Sequence, residues 1–239
     1  MSDGSTDFWG AAFGYAAMVF TMVYFLSPVP TILKIAKAKD VQEFAATPCV
    51  MGVFNCSIWT YYCVATMEAT SQNLTPNLLV NGLGAIMWLG YVAVFMAYAG
   101  KRCRPIVNLF LITMVIEALL IAFFEGVAPK LNWSFHWGDL PLKCSLSGLL
   151  CDIVNVLLYG SPLVTMGTVI RTKSVEFMPL PMSVLTFVIS VLWSAQAVLI
   201  DNIAVLIPNA LGILLGAAQL VLYAIYCRPP EEARDVMLA

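Results

Sequence analysis

The chain has 239 residues, of which 61% are apolar and 11% charged, against roughly 45–50% and about 25% in ordinary soluble domains. Twelve basic and fourteen acidic residues leave a net charge of −2, and no basic run is interleaved with aromatics. A nucleic-acid binder and a water-soluble globular domain are both excluded, and the chain reads as built for lipid.

A spanning helix needs about 20 mainly apolar residues. The opening "MSDGSTDFWG" has no basic n-region, and the apolar run of residues 9–33 is long enough to span, so it is expected to stay in the mature protein rather than be cleaved as a signal. That run ends on "SPVPTILKIAKAK", residues 27–39. After KAKD comes a second span at 46–68, then the TSQNLT turn and a third at 76–99, which contains "VNGLGA". GKRCR leads to a fourth at 105–125, followed by the longer EGVAPKLNWSFHWGD loop, whose His136 reads as a surface residue. The fifth, 143–166, runs into "SPLVTMGTVIRTK", residues 161–173. A sixth at 179–200, the short IDN turn and a seventh at 203–227 complete the series before the tail 228–239. No segment alternates at the period of a barrel strand, and backbone groups in hydrocarbon must be satisfied internally. The predicted class is an all-α membrane protein with seven transmembrane helices.

The seven cysteines include no CxxC pair and no histidine partner at metal spacing, so they read as small apolar packing residues. Cys56 and Cys63, like Cys144 and Cys151, stand seven apart on one helical face. No metal site and no cofactor is expected.

The two Ser-Pro stretches lie at an offset of 134 residues, Ser27 to Ser161. "VNGLGA" at 80–85 corresponds to "PNALGI" at 208–213 at an offset of 128, and Trp59 to Trp193 returns the offset to 134. Spans 1–3 are therefore echoed by spans 5–7, giving a first triple-helix repeat at 9–99, a linker helix at 105–125 and a second repeat at 143–227. The single linker lets the second repeat enter the membrane in the same orientation as the first. Parallel repeats are a transporter architecture, with substrate held near the midplane between them.

Alternating the spans puts KAKD, GKRCR, RTKS and the tail on one side, leaving only Lys130 and Lys143 on the other. By the positive-inside rule the C-terminus is expected to be cytosolic and the N-terminus external or lumenal. The glycosylation acceptors Asn73 and Asn132 then fall outside, although Pro76 would hinder the first.

"SPLVTMGTVIRTKSVEFMP", 161–179, and "IPNALGILLGAAQLVLYAIY", 207–226, are the stretches through which the sequence resembles the SWEET family of sugar transporters, over residues 10 to 227. The first repeat is a looser match, with KAKDVQEF and ATP in the corresponding places. The resemblance implies a 3+1+3 bundle that moves mono- or disaccharides down their gradient by alternating access. It also implies a homo-oligomer, a trimer being the number to test, in the plasma or the vacuolar membrane.

By the same resemblance Pro28, Pro48, Pro162 and Pro179 match a proline tetrad that lets helices bend; four helix-end prolines are the plainer alternative. Asn81 and Asn209 match an asparagine pair that binds sugar, and an amide offers both donors and an acceptor for hydroxyls. Structural bonding between helices is the competing role for that pair. Trp59 and Trp193 match positions flanking the sugar, where an indole presents an apolar face and one N–H. Asn155 and Leu158, with their repeat mates Thr21 and Tyr24, match the places that tune substrate size. Sucrose-favouring members tend to carry a small pair such as Ser and Val there, so Asn with a bulky apolar residue points to hexose.

Two carboxylates depart from this pattern. Glu117 and Asp152 lie within predicted spans, where charge is expensive and usually faces a cavity or a partner. Asp152 precedes Asn155 by three residues and is expected to share its face, able to accept sugar hydroxyls or bind a proton, or else to bond a neighbouring helix. They bear on strict uniport, a proton-coupled carrier being the alternative. A seven-helix receptor does not need this repeat, a retinal protein needs a lysine that residues 203–227 lack, and no G-x-S-x-G or HExxH supports an enzyme.

Overall fold

The computed structural model describes residues 4–131, 133, 137 and 139–227. His136, the Asn132 acceptor and the tail 228–239 lie outside the described residues. Among those described, the chain forms nine α-helices and no strand: α1 (Gly4–Phe25), α2 (Val29–Ala38), α3 (Thr47–Ala69), α4 (Thr75–Tyr98), α5 (Cys103–Gly126), α6 (Leu142–Leu158), α7 (Gly160–Thr172), α8 (Leu180–Leu199) and α9 (Ile203–Tyr226). Seven spans remain, because α1 with α2 and α6 with α7 are the halves of spans 1 and 5.

The prolines cause both breaks. Pro28 and Pro30 lack the N–H that would bond the carbonyls of Tyr24 and Leu26, and the chain substitutes tighter turns, Ser27 N–H to Tyr24 O at 3.0 Å and Val29 N–H to Leu26 O at 3.0 Å. At the second break Tyr159 N–H is shared between Asn155 O, 3.1 Å, and Val156 O, 3.2 Å, just before Pro162. The second halves end alike, with Lys39 (φ 52°) and Lys173 (φ 53°) both left-handed, at the 134-residue offset.

Pro48 and Pro179 are placed differently. Pro48 lies in the first turn of α3, and Pro179 caps the start of α8 with extended backbone. Helix-end prolines therefore describes this pair, while Pro28 and Pro162 stand at mid-span breaks. A first-turn proline costs no hydrogen bond, because that N–H has no intrahelical partner anyway.

In the first repeat α4 packs against α1, α2 and α3; in the second α9 packs against α6, α7 and α8. The repeats meet through α1 on α8 and α3 on α6, and α5 lies against α3, α4 and α6. Both bundles run in the same order and direction, the arrangement expected of parallel repeats around one linker. Matched contacts confirm the equivalence in detail. A Cβ on Gly84 would collide with the Phe25 ring and Cys56 Sγ, and one on Gly212 with Ser190 Oγ and Tyr159 Oη. Those partners are themselves repeat mates, so each glycine admits the residue that precedes a break.

Among the described residues, six segments are long and apolar enough to cross a membrane: 5–38, 75–98, 100–130, 142–172, 180–199 and 203–226. The seventh span, α3, has 23 residues but carries Asn55, Ser57, Thr60, Tyr61 and Tyr62. Enclosed by α4, α5 and α6, it presents protein rather than lipid to much of its surface, and eleven of its residues are buried. Cys49, Cys56, Cys63, Cys144 and Cys151 are buried free thiols, three of them in α3.

Candidate functional site

Asn81 on α4 and Asn209 on α9 are each half-buried and bonded in the same way. Asn81 Nδ2 donates to Asn77 O at 2.9 Å, and Asn209 Nδ2 to Val205 O at 2.7 Å, each one turn back along its own helix. Those bonds fix the side chains yet leave each amide an oxygen and one N–H without a partner among the described residues. Neither amide bonds a neighbouring helix, so the gluing role has no contact to support it.

Pro208, inside α9, removes a backbone N–H one residue before Asn209. Its own carbonyl accepts from Tyr159 Oη at 2.7 Å, tying the second break to the turn that carries Asn209. In the first repeat Tyr91 Oη instead donates to Phe25 O, 3.0 Å, at the end of α1. Each break is thus held by a tyrosine hydroxyl, by different routes in the two halves.

Trp193 is 6% exposed, packs on Ala17 and Val80, and donates its indole N–H to Thr21 Oγ1 at 3.0 Å. Thr21 in turn donates to Ala17 O at 2.8 Å. This bond joins Trp193 of the second repeat to Thr21 of the first. Trp59, equally buried, stacks edge-on against Tyr62 with centroids 5.5 Å apart, and no bond links it to Asn155, the repeat mate of Thr21. The two tryptophans are therefore bonded differently in the two halves. Tyr24 and Leu158, repeat mates just before the two breaks, are 37% and 38% exposed, while Asn155 is half-buried.

Asp152 is buried, and neither carboxylate oxygen has a hydrogen-bond partner among the described residues. It borders a crevice of about 290 Å³ between α6 and α9, otherwise lined by apolar residues including Ile153, Val156 and Ile207. A bond from Asp152 to a neighbouring helix, the structural alternative, is not formed. Glu117 is buried on α5.

Sequence reasoning missed the contacts at the end of the bundle that carries the TSQNLT and IDN turns. Tyr62 Oη donates to Asn202 Oδ1 at 3.0 Å, Asn202 Nδ2 to Gln72 Oε1 at 2.8 Å, and Gln72 Nε2 to Asp201 O at 3.0 Å. Asn202 also caps α9 by accepting from Val205 N–H at 2.9 Å. One side chain therefore starts a helix and joins the two repeats. Its place before an apolar run was a capping signal available in the sequence. Beyond the Trp193–Thr21 bond, towards the KAKD and RTKS end, no hydrogen bond links the repeats among the described residues.

Two separate stretches, residues 11–103 and 145–231, match the family model described as "Sugar efflux transporter for intercellular exchange". The chain belongs to the SWEET family. It is 34% identical over 222 residues to the bidirectional sugar transporter SWEET7b of Oryza sativa subsp. indica, covering 93% of this chain and 79% of that one. SWEET2b of the same subspecies is 36% identical over 217 residues, 91% of this chain and 90% of its own. SWEET17 of Arabidopsis thaliana is 33% identical over 213 residues, 89% and 83% of the two chains. The solved 3.7 Å structure of a eukaryotic SWEET transporter superposes with a TM-score of 0.82 at 32% identity, covering 93% of this chain and 98% of that chain. SWEET proteins are transporters, and the chain is not an enzyme.

Proposed function

We propose that this SWEET is a facilitative carrier that moves a hexose in either direction by alternating access. The observation that carries the reading is the asparagine pair: two amides at repeat-related places, each oriented by the same bond and each retaining a free oxygen and N–H. A pyranose offers hydroxyls to both and an apolar face to Trp59 or Trp193. Hydrogen bonds join the repeats at the turn end and from there to Trp193, but not at the basic end, which fits a path closed on one side. Breaks at Pro28 and Pro162, with Pro48 and Pro179 at helix starts, supply joints about which the closure reverses. The basic end and the C-terminus face the cytosol, so this conformation opens inward, and copies associate as a homo-oligomer in the plasma or vacuolar membrane. Uptake of labelled glucose into empty proteoliposomes tests the reading. Saturable equilibration without any ion gradient is expected, and its absence refutes it.

Substrate size is set by Asn155 and Leu158 with Thr21 and Tyr24. Asn155→Ser with Leu158→Val removes side-chain volume at these two places and is expected to raise disaccharide transport several-fold relative to hexose. Competition assays at matched protein levels check this, and an unchanged preference refutes it.

Asp152 makes transport pH-sensitive without making it proton-driven. An ionised carboxylate only accepts hydrogen bonds, whereas the protonated acid also donates one, so its uptake of a proton changes what it offers a hydroxyl. Asp152→Asn is expected to flatten the profile of equilibrative uptake between about pH 5 and 8. Identical profiles would remove Asp152 from the mechanism; sugar accumulation that needs an imposed pH gradient in the unaltered protein would instead establish a proton-coupled carrier.

A further inference from the structure

Gln196 on α8 is 0% exposed, yet neither its Oε1 nor its Nε2 has a hydrogen-bond partner among the described residues. Its surroundings identify its counterpart. A Cβ on Gly14 would lie 2.5 Å from Gln196 Nε2 and 2.8 Å from Pro76 Cγ; a Cβ on Gly148 would lie 3.0 Å from Tyr62 Cε2 and 2.9 Å from Ala204 Cβ. Gly14 and Gly148 are repeat mates, as are Pro76 and Ala204. Gln196 therefore occupies in one half the place that Tyr62 occupies in the other.

The two halves then differ. Tyr62 finds Asn202, whereas the position matching Asn202 is Leu74, which is fully buried and offers no side-chain acceptor. Asn77 follows Pro76 on α4, and its repeat mate Val205 packs in the same cluster as Tyr62; Asn77 is 4% exposed with its Oδ1 also unpartnered. A buried amide without a partner penalises the conformation that contains it, and leucine of similar size would remove the penalty. Gln196 lies where α8 of one repeat packs on α1 of the other, so parting the repeats at the turn end uncovers it. Asn77 lies one helical turn from Asn81, and Gln196 one turn from Trp193, both on the turn-end side.

Resting on the sugar-transport reading above, we propose that Gln196 with Asn77 forms an outer hydroxyl-binding subsite, presented only when the path opens at the turn end. Its ligand class is a polyhydroxylated ring, because the pair supplies donors and acceptors together. Closure buries the Gln196 amide and the Asn77 oxygen without partners, which destroys the subsite and passes the sugar one turn inward to Asn81 and Asn209.

The test uses the full chain in cells lacking their own hexose uptake, with labelled glucose measured in influx and in efflux, and the purified protein in thermal unfolding. Gln196→Leu is expected to raise half-saturation about five-fold from the face at the turn end, while the opposite face changes less than about two-fold. The unfolding midpoint is expected to rise by about 2 °C, which a merely structural amide would not allow. Gln196→Met, an unbranched near-isostere, is run alongside in case the leucine variant does not accumulate. A lowered midpoint, unchanged half-saturation on both faces, or equal change on both overturns the proposal. No saturable uptake by the unaltered protein overturns the sugar-transport reading and this proposal together; saturable uptake with variant kinetics equal to it overturns this proposal alone.

Discussion

Asn81→Ala and Asn209→Ala are each expected to reduce glucose transport by one to two orders of magnitude while the protein still folds. Each substitution removes an oxygen and an N–H offered to hydroxyls, and two such bonds at about 0.5–1.5 kcal/mol apiece correspond to about 5- to 150-fold in affinity. The effect on stability is smaller. What the fold loses is one bond from a half-buried amide to its own helix, Asn81 to Asn77 O or Asn209 to Val205 O, and alanine is the better helix former. Uptake and the unfolding midpoint in detergent, measured on the same preparations, separate the two. Retained uptake in both variants would move the sugar site away from the asparagine pair.

Asn202→Ala is expected to damage both folding and function. Asn202 caps α9 and accepts from Tyr62 Oη, and its amide nitrogen reaches Gln72. Loss of the cap costs about 1 kcal/mol, and a buried tyrosine hydroxyl left without a partner costs a further ~1–3 kcal/mol. The second cost falls mainly on the conformation in which the turn ends of the repeats are joined. A shift of about 2 kcal/mol changes the ratio of two conformers some 30-fold, so the variant should populate the state open at the turn end and cycle slowly. Tyr62→Phe removes one of the inter-repeat bonds but keeps the cap and the Gln72 contacts, and is expected to slow transport with a smaller fall in the unfolding midpoint. Thiol labelling of a cysteine placed at Leu74, fully buried at the turn end and outside these hydrogen bonds, reports opening directly. Unchanged labelling in the Tyr62→Phe background would show that this contact does not hold the repeats together.

Much of this molecule is determined by local chemistry that the sequence displays. Spans of about 20 apolar residues can satisfy their backbones in lipid only as helices, so seven of them, and the class, follow from composition. The offsets joining Ser27 to Ser161 and Asn81 to Asn209 disclose two repeats, and the single intervening span makes them parallel. Proline chemistry at Pro28 and Pro162 marks where spans 1 and 5 break, since a missing N–H acts wherever the residue stands in a helix. The placement of Pro48 and Pro179 at helix starts depends on where α3 and α8 begin, which periodicity locates only loosely.

Tertiary structure alone decided which residues of the two repeats meet, because pairing across helices depends on crossing geometry that no spacing encodes. Trp193 and Trp59 are equivalent in sequence, but only Trp193 bonds the other repeat, through Thr21. Tyr62 and Gln196 occupy equivalent cradles in the two halves; Tyr62 is satisfied by Asn202, while at the place matching Asn202 Gln196 meets the half that carries Leu74. A hydrogen bond needs two groups brought within about 3 Å at a favourable angle. The two halves share their helices and the order of them, and a few partners that differ, visible only once the helices are packed, make them unlike.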